Sequence, residues 1–415
     1  MKILFVAGEP SGDEHGSHLV KALLKRLPDL DAYGIGGPLM ENEGLRLIHN
    51  ITELSVIGLI EVAKSYPRLK RVFDDILQHV DDDKPDAVVF IDYPGFNLRL
   101  SKKIKKAHPE IPVIYFVSPQ LWAWGHRRIH MVRKVVDLML VFFPFEVDVY
   151  NKGGKWIVHD NDTISIATHK FHTKSNLIVK HVGHPLISKL ESFVPDINFL
   201  KNNNIPDNKK LIALLPGSRE NEIKKILPVL LDSALKLKNE VSDLFFVLSC
   251  ARAGLKELII AEIERSGIKL PSDYLRIVDN SMYDIVHNSE IALVTSGTAA
   301  FEAALSLKPV LVLYRMNFIS FSVARALFRI PFINLANIIA GKRIVPEFIQ
   351  HQMTSERIVP EAKKYLSDKN YYDNTIKELK KVHDDLCHGD AGENAAEEIC
   401  KFMSTAERFR EYDLI

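Results

Sequence analysis

A chain of 415 residues is longer than one ordinary hydrophobic core supports, so two domains are expected. Hydrophobic residues at 47% and charged residues at 26% make a globular composition and exclude a disordered or fibrous chain. Lys and Arg number 54 against 53 Asp and Glu, so no net field favours a nucleic acid; three cysteines without a CxxC pair point to a reducing compartment and away from a disulfide framework or a zinc site.

Taken in chain order, Met1–Glu9 opens with a short apolar run that stops at an acid, which reads as a buried strand and not as a secretory leader. Further runs rich in Val, Ile and Phe follow at Ala32–Gly37, Asp86–Tyr93, Val113–Ser118 and Asp137–Phe143. Between most of them lie amphipathic stretches such as Ser17–Leu27, which sets Leu19, Leu23 and Leu27 on one helical face. Residues 151–180 are polar, with Gly153-Gly154 and Asp160-Asn161-Asp162, and read as an inserted loop or hairpin. A second series begins after Pro185, with strands at Leu211–Leu215, Leu244–Cys250, Leu275–Asp279, Ile291–Thr295 and Pro309–Tyr314. From Glu356 onward the chain is charged and helical, and is expected to pack back across the rest. Continuous apolar strands alternating with helices predict parallel sheets covered on both faces. The expected fold is therefore α/β with two Rossmann-like lobes: residues 1–184, residues 185–355, and C-terminal helices over 356–415. A cleft between the two lobes, at the carboxyl ends of their strands, is the expected site.

Several strand ends carry residues that suit chemistry. The first strand runs into Gly8-Glu9-Pro10-Ser11-Gly12-Asp13, where small residues let backbone amides approach an anion at a helix start. The same residues suit a tight turn capped by Asp13. Asp92 closes the strand Asp86–Tyr93; there a carboxylate serves either as a general base or as a turn cap. Trp122 and Trp124 follow the next strand, placed either to stack on a sugar or acyl group or to plug an edge. In the second lobe, Pro216-Gly217-Ser218-Arg219 adds a guanidinium to the turn, and Ser296-Gly297-Thr298 opens another helix with Glu302 one turn inside. Two anion-accepting turns with a ribose acceptor point to a nucleotide-diphosphate site.

These segments resemble one family. Gly8–Asp13, Ile91–Asn97, Ser118–Trp124, Phe143-Pro144-Phe145-Glu146, Gly183-His184-Pro185, Leu215–Arg219, Ser296–Glu302 and Asn337 occur in the order found in the lipid-A-disaccharide synthases, over nearly the whole chain. The resemblance implies a glycosyltransferase of the B-type fold. It implies transfer of 2,3-diacylglucosamine from its UDP donor to 2,3-diacylglucosamine 1-phosphate, with inversion, giving a β-1,6 disaccharide and UDP. On that reading Asp92 is the base for the acceptor hydroxyl. Gly217, Ser218, Arg219, Ser296, Gly297 and Thr298 hold the UDP pyrophosphate, and Glu302 and Asn337 complete the donor site. Ser11, Gly12, Asp13, Trp122 and Trp124 fall on the acceptor side. The resemblance calls for no cofactor and no metal, since Arg219 and helix amino termini can stabilise departing UDP. It sets the enzyme peripherally on the cytoplasmic face of the inner membrane and leaves room for a homodimer.

Two departures from the family pattern stand out: residues 151–180 exceed the usual short connector, and Gly95 stands where some members carry an acid. Asp81-Asp82-Asp83 mimics a metal-holding D-x-D pattern but reads as an exposed charged turn before Pro85, and His184 reads as structural. Phe318–Phe332, with Arg325 and Arg329 among its apolar residues, suits either a membrane-surface helix or an ordinary core helix. A UDP-sugar epimerase of the same architecture and a non-catalytic nucleotide-sugar binder are the competing functions. No stretch reaches the roughly 18 to 20 apolar residues of a membrane span.

Overall fold

The computed structural model describes residues 1–53, 59–153, 155–160, 162–167, 175–268, 270–271, 273–317, 321 and 332–412. The chain divides into two compact units, one of Met1–Trp156, Ile166–Pro185 and Leu386–Ile415, the other of Ile157–Ser165 and Leu186–Asp385. Each is built on its own parallel sheet.

The first unit carries strands β1 (Lys2–Ala7), β2 (Asp31–Gly36), β3 (Arg46–Asn50), β4 (Ala87–Ile91), β5 (Val113–Phe116) and β6 (Leu138–Val141). A two-stranded hairpin of β7 (Lys155–Val158) and β8 (Ile164–Ala167) follows, and β9 (Ile178–His181) returns to the sheet. The order is β3-β2-β1-β4-β5-β6-β9, with every pair parallel. Strands β4, β5 and β6 are buried throughout, because helices cover both faces and leave no position for a polar residue. The chain order reverses between β1 and β4, where Ala7 pairs with Ile91. In such sheets the carboxyl ends of the two strands at the reversal splay their loops apart and leave a crevice.

The second unit repeats the scheme with β10 (Lys210–Leu215), β11 (Leu244–Cys250), β12 (Leu275–Asp279), β13 (Ile291–Thr295), β14 (Val310–Tyr314) and β15 (Glu347–Ile349). The order is β12-β11-β10-β13-β14-β15, again all parallel, with the reversal between β10 and β13.

Three strands, β3, β9 and β15, lack the apolar signature that marks the others, and all three lie at sheet edges. The helix Pro10–Arg26 begins seven residues before the expected Ser17, with Pro10 in its first turn. Its opening lacks an apolar stripe because Gly12 and Gly16 bring the backbone against the sheet: a Cβ on Gly12 would stand 3.4 Å from that of Ala7, and one on Gly16 would stand 2.9 Å from Ile91 Cδ1. Asp81, Asp82 and Asp83 belong to the last turn of the helix Leu59–Asp83, where they meet His108, Gln78 and His79. Within residues 151–180 the chain completes a helix, forms the hairpin and enters β9. The hairpin tip bonds inside the second unit, Arg343 Nε donating to Asp162 at 2.6 Å and Ile164 N–H to Gly341 O at 2.8 Å. The stretch Phe318–Phe332 lies outside the described residues except for Phe321 and Phe332. No helix among the described residues is long and apolar enough to cross a membrane.

Candidate active site

In the first unit the loops after β1 and β4 leave the sheet side by side at its reversal point. Asp92 and Tyr93 both take left-handed backbone conformations, with φ of 47° and 45°. Two consecutive non-glycine residues there cost on the order of 1–3 kcal/mol each, so the surrounding bonds must enforce the turn. The buried Asn97 amide reaches the carbonyls of Val6, Ile91 and Asp92 at 3.3, 3.2 and 2.8 Å. Tyr115 Oη donates to Asp92 O at 2.6 Å, and Asp92 N–H donates to Phe116 O at 3.0 Å. Gly8 leaves space for the Tyr93 ring, since a Cβ would stand 2.8 Å from Cε1. The result is a half-buried carboxyl fixed at the end of β4.

That carboxyl is poised. Burial, then the negative charge of Glu9, pushes Asp92 up to about 6, while a hydrogen bond from Tyr93 N–H opposes the rise. A carboxylate with that value stays ionised at neutral pH and is a much better proton acceptor than an exposed one.

The acceptor-side candidates separate. Ser11 is exposed in the first turn of its helix. Gly12 is buried against the sheet, and Asp13, 2% exposed, faces inward. Its carboxylate accepts from the N–H groups of Gly37, Leu39 and Met40 at 2.8, 3.1 and 3.0 Å, holding the start of the short helix Pro38–Asn42. Trp122 is also buried, its indole edge-on to Phe145 at 5.0 Å and its Nε1–H bonded to Glu146. The backbone of Trp124 ends the same short helix, Leu121–Trp124; its side chain lies outside the described residues. His184 is buried between Phe142 and Phe143, and burial followed by the nearby His15 holds it down at about 3, so it is neutral.

In the second unit the loop after β10 packs against the end of β13: a Cβ on Gly217 would stand 3.0 Å from Thr295 Cγ2. Gly217 has φ of 110° and Gly297 148°, both open to glycine and strained for other residues. Ser218 and Arg219 are exposed at the start of the helix Glu220–Glu240. The Arg219 guanidinium sits 3.1 Å from Glu222, whose other oxygen accepts Arg219 N–H at 3.4 Å. Gly297 and Thr298 are exposed at the start of the helix Thr298–Leu305, whose first amides have no partner within the helix. Just before them the Thr295 hydroxyl is buried, without a hydrogen-bond partner among the described residues. Glu302 is nearly buried one turn in, 3.7 Å from Lys189.

Asn337 lies on the helix Leu335–Ala340, which packs against the helix Thr298–Leu305. It is fully buried, its amide donating to Val345 O at 2.9 Å and Glu347 at 2.8 Å, its oxygen accepting from the N–H groups of Ile344 and Val345 at 2.7 and 3.0 Å. All its hydrogen-bonding capacity is spent shaping the loop that leads into β15. Two acids escaped notice as individuals in the sequence. Glu9 matters through its charge on Asp92, and Glu146 is a buried acid that the sequence showed only as the end of the segment Phe143-Pro144-Phe145-Glu146.

Two Rossmann-type parallel sheets, each with small-residue loops at its reversal point, make this an α/β protein of the B-type glycosyltransferase architecture. Solved structures share the fold: UDP-GlcNAc 2-epimerase from Neisseria meningitidis, with TM-score 0.52 at 16% identity over 98% of this chain and 100% of that one, and a glycosyltransferase from Rickettsia africae, with TM-score 0.54 at 11% identity over 98% of each. The chain belongs to the lipid-A-disaccharide synthetase family, whose model matches residues 3–160 and 167–399. The lipid-A-disaccharide synthase of Myxococcus xanthus is 33% identical over 402 residues, covering 97% of each chain. It is thus a glycosyltransferase of lipid A biosynthesis.

Proposed function

We propose that the enzyme transfers 2,3-diacylglucosamine from its UDP donor to the 6-hydroxyl of 2,3-diacylglucosamine 1-phosphate, the first unit holding the acceptor and the second the donor. Asp92 takes the hydroxyl proton as the oxygen bonds to the donor's anomeric carbon. The bond from that carbon to the diphosphate oxygen breaks with inversion, and UDP leaves with the electron pair. In the second unit Arg219 and the helix starts at Glu220 and Thr298 stabilise the charge on the departing diphosphate, and Glu302 accepts from the ribose. With two acylated substrates the enzyme works at the cytoplasmic face of the inner membrane, alone or as a homodimer. Asn337 serves the donor site through the loop it shapes.

One observation carries this reading: a carboxyl raised to about 6 is held by an enforced left-handed turn at the reversal point of the first sheet. The test is an assay of the purified chain with UDP-2,3-diacylglucosamine, with and without 2,3-diacylglucosamine 1-phosphate. UDP release that needs the acceptor and matches disaccharide formed is the expected result. Release independent of acceptor would overturn transfer in favour of epimerase chemistry.

A further inference from the structure

Glu146 is 1% exposed, yet among the described residues it has no cationic partner within ion-pair distance. Burial pushes it up to about 8, against hydrogen bonds from Phe143, Ser118, Trp122 and Phe142. A buried carboxyl without a cation is an expensive way to fill space, and an apolar side chain of similar volume would pack at lower cost. Its bonds show what it holds. Trp122 Nε1–H donates to one oxygen at 3.0 Å, and Phe143 N–H donates to the other at 3.2 Å. One carboxyl thereby links the loop after β5 to the start of the helix Pro144–Lys152. The same loop begins where β5 supports the reactive strand end, through Tyr115 Oη and Phe116 O on Asp92.

We propose that Glu146 is a positioning residue for the acceptor, clamping Trp122 so that the loop 118–124 is held in register beside Asp92. This rests on the reading that the first unit binds the acceptor. A role confined to starting the helix would involve only the Phe143 bond, whereas the clamp requires the bond to the indole.

The two roles separate in a double-mutant cycle on the full-length enzyme. Trp122→Phe removes the indole N–H while leaving the helix start intact; Glu146→Leu keeps the side chain's approximate volume and removes both acceptor oxygens. Each is expected to raise the acceptor KM about tenfold, to leave the donor KM within about twofold, and to combine non-additively, the double variant being no worse than the poorer single one. The Tm of Trp122→Phe should stay within a few degrees of the parent's. Independent, multiplying effects would overturn the clamp, as would an unchanged acceptor KM in Trp122→Phe. Coupled effects that fall on the donor KM would instead overturn the assignment of the first unit to the acceptor.

Discussion

Glu9 and Asp92 extend from neighbouring parallel strands, and the charge of Glu9 is second only to burial in raising the Asp92 carboxyl. Ala7 pairs with Ile91, so the next residues on the two strands are Gly8 and Asp92, and Glu9 reaches the carboxyl past a position with no side chain of its own. With Asp92 as the proposed base, the pair is expected to set the acidic limb of activity. kcat/KM should rise as pH passes through about 6, and Glu9→Gln should move that limb toward lower pH, since removing a like charge eases ionisation. A pH–rate profile unchanged by Glu9→Gln would discard the coupling.

Asp92 also couples to stability, with a sign opposite to that of a salt-bridged acid. Its folded value of about 6 lies above the ordinary aspartate value, so the folded state binds the proton more tightly than the unfolded chain. Stability is lost as pH rises from the unfolded value to the folded one. Asp92→Asn should therefore raise Tm at pH 7.5 and leave it nearly unchanged at pH 4, while turnover falls by roughly 10²–10⁴ and UDP binding is retained. Calorimetry at the two pH values, with a kinetic assay, checks both halves; a variant with parental turnover would remove Asp92 as the base.

Arg219→Ala should weaken UDP binding by about 1.5–3 kcal/mol, the usual range for a hydrogen bond to a charged group. Its side chain is 82% exposed, so the loss should come without a fall in Tm. Titration calorimetry with UDP is the check, and an affinity equal to the parent's would place the diphosphate elsewhere.

The two glycines of the second unit are predicted to differ. An alanine at Gly217 meets backbone strain and also Glu222 and Thr295, whereas at Gly297 it meets strain alone, with nothing within 4 Å. Gly217→Ala should lower Tm more than Gly297→Ala. Equal shifts would mean that the close approach of Gly217 to Glu222 and Thr295 is not maintained in solution.

Asn337→Ala should behave as a stability variant, because each buried partner left unpaired costs roughly 1–3 kcal/mol. Val345 O, Glu347 and the amides of Ile344 and Val345 all lose their partner together. Thermal unfolding without ligand should show the loss; a UDP affinity defect at unchanged Tm would make Asn337 a direct donor contact instead.

Most of the sheet was legible because central strands of a parallel sheet must be apolar on both faces, and such runs stand out in a chain. The edge strands β3 and β9 have no such requirement, and Arg46-Leu47-Ile48-His49-Asn50 therefore looks like a loop until β2 pairs with it. The site divides in the same way. Asp92 was readable as a carboxylate at a strand end, but its raised value depends on burial and on Glu9, which spacing does not reveal. Asp13, Trp122 and Asn337 sit in ligand-like motifs while bonding to their own chain, and only coordinates distinguish a polar group that is occupied from one that is available.

The helix Ala391–Tyr412 lies against the helix Pro10–Arg26, and Ala395, Ala396, Ile399 and Met403 share a core with Leu19, Val20 and Leu23. Gly392 packs so closely that a Cβ there would stand 2.9 Å from that of His18. On the ribosome, the first unit to be synthesised is therefore the last that can finish folding. Its apolar face must wait, exposed or chaperoned, while the 200 residues of Leu186–Asp385 emerge and fold ahead of its last segment.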